Sequence, residues 1–150
     1  MINTSNLNQV RKQIQEIKKK KEKQEIIIQA QDDEFNRKIL ENKHVDIITN
    51  LESHNKKDYM KQRDSGLNEI LCKLAKKNNI KIGIFLEPIK SLPKKQKAII
   101  LARIKQNIIL CKRTKTQIII LDKEKFQKQE IISFFISLGA STIQAKQAFQ

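Results

Sequence analysis

Four short runs rich in isoleucine constrain this chain more than any other feature: Glu25 to Gln29, Val45 to Ile48, Ile80 to Leu86 and Gln117 to Leu121. Their β-branched, near-continuous apolar character suits strands buried on both faces, as in a parallel sheet covered by helices. The segments between them carry apolar residues three and four positions apart, the spacing of a helix with one buried face. Strands alternating with helices predict an α/β fold with a mainly parallel sheet, and the right-handed crossover rule sets each helix on a sheet face. A full eight-fold barrel needs about 250 residues, so 150 residues supply only part of one.

The first helix is predicted over residues 5–23, with Leu7, Val10, Ile14 and Ile17 on one stripe and a basic end from Lys18 to Lys23. Asp32 and Asp33 open the second, with Phe35, Ile39 and Leu40 inward. The longest runs from Pro93 to Arg113, with Ile100, Leu101, Ile104, Ile108 and Cys111 inward. Another spans Lys128 to Leu138, with Ile131, Ile132, Phe134, Phe135 and Leu138 as its apolar residues, and Gly139 ends it. Ser141 and Thr142 are set to cap a short last helix. One domain over 1–150, with a basic N-terminal helix over 1–24, is the expected organisation.

Residues 59–78 form the most informative loop-to-helix junction. Leu67, Ile70, Leu71, Leu74 and Ala75 fall on one helical stripe, and Asp64 or Ser65 can cap the helix with a side-chain oxygen. Gly66 leaves room for a phosphate or another backbone, and Lys61 and Arg63 flank the helix start, a candidate anion site. The competing reading is an ordinary junction with solvated charges.

Charge is unevenly placed. The net +15 is concentrated between Gly66 and Ile120, where thirteen Lys and Arg face only Glu69 and Glu87. Residues 31–50 are acidic by contrast. Such an imbalance points to a polyanionic partner, whose phosphates Lys and Arg neutralise with release of counterions. No apolar run reaches the about 18 residues of a membrane span, and the start lacks a signal-peptide pattern, so a cytoplasmic protein is expected. Cys72 and Cys111 lie in helical patterns and are expected as buried free thiols.

Catalytic motifs are thin: the chain has no phosphate-binding glycine loop, nucleophile elbow or zinc-protease motif. His44, Asp46, His54, Asp58 and Asp64 are candidates for a metal site at strand ends, without diagnostic spacing.

The block Lys57-Asp58-Tyr59-Met60-Lys61-Gln62-Arg63-Asp64-Ser65-Gly66-Leu67-Asn68-Glu69-Ile70-Leu71-Cys72 carries a more specific signal. With Ile80-Lys81-Ile82-Gly83, the run from Leu101 to Arg113, and Ser133-Phe134-Phe135 through Leu138-Gly139-Ala140 to Ala145-Lys146, it resembles ribonuclease P protein component 3. Residues 25–48 match more loosely. The resemblance implies a TIM-barrel-like fold, here partial, related to metal-dependent hydrolase barrels. It also implies a non-catalytic protein subunit of ribonuclease P, whose RNA removes the 5′ leader from precursor tRNA. The partners implied are the ribonuclease P RNA, protein component 2 and the other subunits, with precursor tRNA met through the complex. No cofactor is implied for the protein itself; Mg2+ is expected for the RNA. Carried onto this chain, Lys61, Arg63, Arg103, Lys105, Asn107, Lys112 and Arg113 are the candidates for RNA or subunit contact. Asp64, Ser65, Gly66 and Asn68 are the candidates for shaping the loop. Two departures stand out: a polar helix where the family has leading strands, and Lys112-Arg113-Thr114 where it has Arg-Lys-Tyr. The first predicts an open sheet edge that another chain would cover. The alternatives are a small metal-dependent phosphoesterase of the related barrel class and a basic module that binds an acidic protein.

Overall fold

The computed structural model describes residues 1–19, 24–58, 60 and 63–149. In chain order the elements are α1 (Leu7–Lys19), β1 (Ile27–Gln29), α2 (Asp33–Leu40), β2 (Ile47–Thr49), α3 (Glu69–Lys77), β3 (Lys81–Ile84), α4 (Glu87–Lys90), α5 (Lys94–Thr114), β4 (Ile118–Ile120), α6 (Lys128–Ser137) and α7 (Thr142–Ala148). Single 3-10 turns stand at Leu51–Ser53 and Lys123–Lys125. Among the described residues this is an α/β fold of seven α-helices and one four-stranded sheet. No helix among them is long and apolar enough to cross a membrane.

The sheet is parallel throughout and its spatial order follows the chain, β1-β2-β3-β4. Each step to the next strand therefore needs a crossover, and α2, α3 and α5 supply the three. α2 packs on α3, and α3 on α5, which builds one helical layer. Side chains alternate along a strand, and the register sets Ile28, Ile48, Ile82 and Ile118 in one row. That row is at most 1% exposed and belongs to the same core as Ile39, Ile104 and Ile108. Burying each such side chain contributes about 1.5–3 kcal/mol. Ile47, Thr49, Gly83 and Ile119 alternate to the opposite face. A Cβ on Gly83 would stand 2.7 Å from Leu121 Cδ1 and 2.8 Å from Ile47 Cγ2, so glycine lets those two side chains meet across the strand.

The edge at β1 differs from expectation. Ile2, ahead of α1, pairs with β1 in parallel: its N–H donates to Ile27 O at 2.7 Å and its carbonyl accepts from Gln29 N at 2.9 Å. Ile2 thus lies on the sheet ahead of the polar helix, and this edge is partly covered from within. The observed α1 ends at Lys19, and the rest of its basic end, Lys20 to Lys23, lies outside the described residues.

The central helix also starts later than the periodicity suggested. Asn68, rather than Asp64 or Ser65, is its cap, accepting from Leu71 N at 2.9 Å. Leu67 is buried ahead of the helix, so it is not part of the helical stripe. Cys72 and Ala75 are buried, Leu71 and Leu74 flank them, and Ile70 is 74% exposed. Elsewhere Gly139 adopts φ +98 just past α6, as a helix-ending glycine does. Ser141 caps α7, accepting from Gln144 N, while Thr142 is its first residue.

Candidate nucleic-acid interface

The candidate residues fall into two surfaces at opposite ends of the sheet. At the C-terminal ends of the strands, the loop after β2 is fastened to α5 by a polar stripe. Arg103 Nη1 donates to the carbonyls of Glu52 at 3.0 Å and His54 at 2.8 Å. Its Nη2 donates to Lys56 O at 2.7 Å and Asp58 Oδ1 at 3.1 Å, and Nε donates to Asp58 Oδ1 at 3.2 Å. Three and four residues on, one helical turn further, Gln106 Nε2 reaches Arg63 O and Asn107 Nδ2 reaches Ser65 O, each at 3.1 Å.

The loop closes on itself as well. Asp58 accepts from Asp64 N, and Asp64 accepts from Gly66 N. His54 Nε2 lies 3.0 Å from Asp64 O. Gly66 has φ +76, and a Cβ there would overlap the Leu51 carbonyl. On its Cβ side, the close approach that glycine permits is taken by the backbone of the chain's own 3-10 turn, while Gly66 also lines the cleft that Arg63 borders.

The structure places Arg103 and Asn107, both candidates for RNA or subunit contact, as buried anchors of this loop. Arg103 is 4% exposed with its donors engaged, and Asn107 is fully buried. The five-residue metal grouping divides too. Asp46 accepts from Ile26 N and His44 lies 2.6 Å from Lys18 Nζ, before β2, whereas His54, Asp58 and Asp64 belong to the loop after it.

Between this loop and α4 opens a cleft of ≈ 520 Å³, lined in part by Glu52, His54, Phe85, Leu92, Ile100 and Arg103. Glu52 is 2% exposed, and its Oε2 has no hydrogen-bond partner among the described residues. Burial raises its pKa to about 7, against the opposing pull of a backbone hydrogen bond and the Arg103 charge. Nothing in the sequence around Leu51 signalled a buried carboxyl.

At the N-terminal ends of β3 and β4, the last turns of α3 and α5 meet. Lys73, Lys76, Lys77, Arg113, Thr114 and Lys115 line a groove of ≈ 550 Å³ there. Cations at helix C-termini sit well with the helix dipole, and none of these lining residues is acidic. Lys73 Nζ also meets Glu69 Oε1 at 2.6 Å, and this hydrogen bond holds the Glu69 carboxyl below its usual range.

Lys73 and Lys77 continue into a neighbouring cleft of ≈ 630 Å³ that Arg37 and Arg63 share with Asp33, Glu41 and Asp64. Arg63 and Arg113, both contact candidates, border two neighbouring clefts that share Lys73 and Lys77 of α3. Gln106, which holds Arg63 O, stands seven residues before Arg113, about 10 Å along the helix. Lys105 and Lys112 are exposed and share another face of α5. Lys61 lies outside the described residues. The lysines of α3 were missed as site residues, although Lys73, Lys76 and Lys77 stand three and four apart.

The fold has a counterpart among solved structures. It is similar to a chain in the cryo-EM structure of archaeal ribonuclease P with mature tRNA. The TM-score is 0.76 at 20% identity, over 98% of this chain and 62% of that one. The likeness is one of fold, and this chain spans less than two thirds of its counterpart's length. No family model and no curated protein matches the sequence.

Proposed function

We propose that this chain is a non-catalytic subunit of ribonuclease P of the component 3 type, on a partial TIM-barrel-like fold. In this reading it binds and supports the RNA that removes the 5′ leader from precursor tRNA, alongside component 2 and the other subunits. The observation that carries the proposal is the fold likeness across nearly the whole chain to a chain of archaeal ribonuclease P. The solvent-facing cations of α3 and α5 support it, because a groove lined by Lys and Arg without a carboxylate suits a phosphate backbone. Arg63, Lys105, Lys112 and Arg113 remain contact candidates in this reading, joined by Lys73, Lys76 and Lys77. Arg103 and Asn107 hold the loop that presents Arg63.

The test is reconstitution of precursor-tRNA cleavage from the RNA and the other subunits, with and without this chain. Its addition is expected to lower the Mg2+ needed for cleavage, since protein cations replace part of the screening the RNA draws from solution. The chain alone is expected to cleave nothing. Metal-dependent cleavage by the purified chain without RNA would overturn the proposal in favour of a phosphoesterase.

A further inference from the structure

We propose that the cleft at the C-terminal ends of β2 and β3 receives a single unpaired guanine base, stacked on Phe85 and paired through its N1–H and N2–H with Glu52. This rests on the reading of the chain as an RNA-binding protein and names what one of its sites would recognise.

Glu52 supplies the first observation. A buried carboxyl oxygen without a partner is costly and uncommon in folded proteins, yet Glu52 Oε2 is in that state while its residue lines an open cleft. Arg103 does not relieve it: its donors go to three backbone carbonyls and Asp58. A ligand that brings N–H donors would satisfy the oxygen.

Phe85 supplies the second. Phe35 and Phe135 are core residues, and Phe126, Phe134 and Phe149 pack against that core. Phe85 belongs to neither group, is half-buried, and lines the same cleft as Glu52. An aromatic ring left out of the core beside an apolar wall of Leu92 and Ile100 is a stacking surface for a planar base. Asp122 fixes this wall, because its carboxylate accepts from Leu86 N at 3.0 Å and Glu87 N at 2.7 Å, on either side of the turn from β3 into α4. The cleft also opens where parallel sheets commonly bind ligands, outside the carboxyl ends of the strands.

The choice of base follows from donor chemistry. Above a pH of about 7 the Glu52 carboxyl is ionised and only accepts hydrogen bonds, and N–H donors from a ligand favour that ionised form. Guanine presents two adjacent donors on its Watson–Crick edge, whereas adenine, cytosine and uracil each set a donor beside an acceptor. The same base comes from a free nucleotide or from an unpaired residue of RNA.

The experiment titrates the whole chain at pH 8, where Glu52 is ionised, with GMP, AMP, and two single-stranded RNA heptamers that differ only by one central G or A. Wild type, Glu52→Gln and Phe85→Leu are compared, with melting temperature as the check on folding. Wild type is expected to prefer the guanine ligand about tenfold, the discrimination of one good two-bond contact. Glu52→Gln is expected to lose that preference without a fall in melting temperature, and Phe85→Leu to weaken both bases. Guanine preference in the heptamers identifies an RNA residue as the source. Tight GMP binding without heptamer binding keeps the receptor, assigns it to a free nucleotide, and counts against the RNA-binding reading. Salt-sensitive RNA binding with no guanine preference, or a preference unchanged in both variants, overturns the inference and leaves the subunit reading standing.

Discussion

The two ends of the sheet use the same residue types in opposite ways. At the C-terminal ends of the strands, Arg103 is buried, ties three carbonyls and Asp58 together, and lies close to the buried carboxyl of Glu52. At the other end, Lys76, Lys77, Arg113 and Lys115 stand in solvent along a groove. A buried cation has no water to fall back on, so removing it strands every acceptor it served. An exposed cation loses little, because surface pairs are worth about 0–1 kcal/mol. The first end is built to hold shape and the second to offer charge, and variants at the two should fail in different assays.

The largest contrast is expected from Arg103→Met, which keeps much of the volume and removes the donors. Unfolding by denaturant should show a loss of about 3–5 kcal/mol, the range for breaking a buried charged network. A loss under 1 kcal/mol would mean that the loop closes without its clamp, and the contrast between the two ends would dissolve.

Next comes the pH dependence that Glu52 imposes. The folded chain keeps the Glu52 proton up to about 7, whereas an unperturbed glutamate releases it near 4.5. Between those values the folded state binds more protons than the unfolded one, so stability falls as pH rises through this window, by up to about 3 kcal/mol. Glu52→Gln should flatten that part of the profile and equal or exceed wild type at pH 8. Parallel profiles for the two proteins would remove Glu52 as the titrating group.

The smallest stability effects belong to the basic end. Arg113→Ala should change unfolding free energy by no more than about 0.5 kcal/mol, yet reduce the salt slope of RNA binding by about one unit if it meets a phosphate. Arg63→Ala should weaken RNA binding more, since a guanidinium can hold a phosphate through two hydrogen bonds, and Arg63→Lys should restore only part of that loss. Affinity and salt slope unchanged in Arg63→Ala and Arg113→Ala would take this surface out of the RNA interface.

Much of the fold was legible in the residues themselves. Strand identity, parallel pairing and the alternation with helices depend on local composition and on a crossover rule with few exceptions, and each isoleucine run became a strand. The burial of Cys72 and Cys111 and the stop at Gly139 were equally local. The site was less legible because its chemistry depends on what each side chain meets. Arg103, Asn107, Lys105 and Lys112 occupy one helix and look alike as polar positions. Only the packing of α5 against the loop after β2 turned two of them inward and left two in water. Gly66 read as room for a phosphate or another backbone, and only the fold brought the Leu51 backbone there. Ile2 fell within residues 1–24, expected as a basic helix, and only the fold brought it beside the β1 carbonyl and amide it pairs with. Glu52 carried no mark in the chain, since its raised pKa comes from burial among groups distant in sequence. Periodicity and composition act over a few residues and decide which elements form; desolvation and hydrogen-bond geometry act across the assembled fold and decided which polar groups hold the structure and which face a partner.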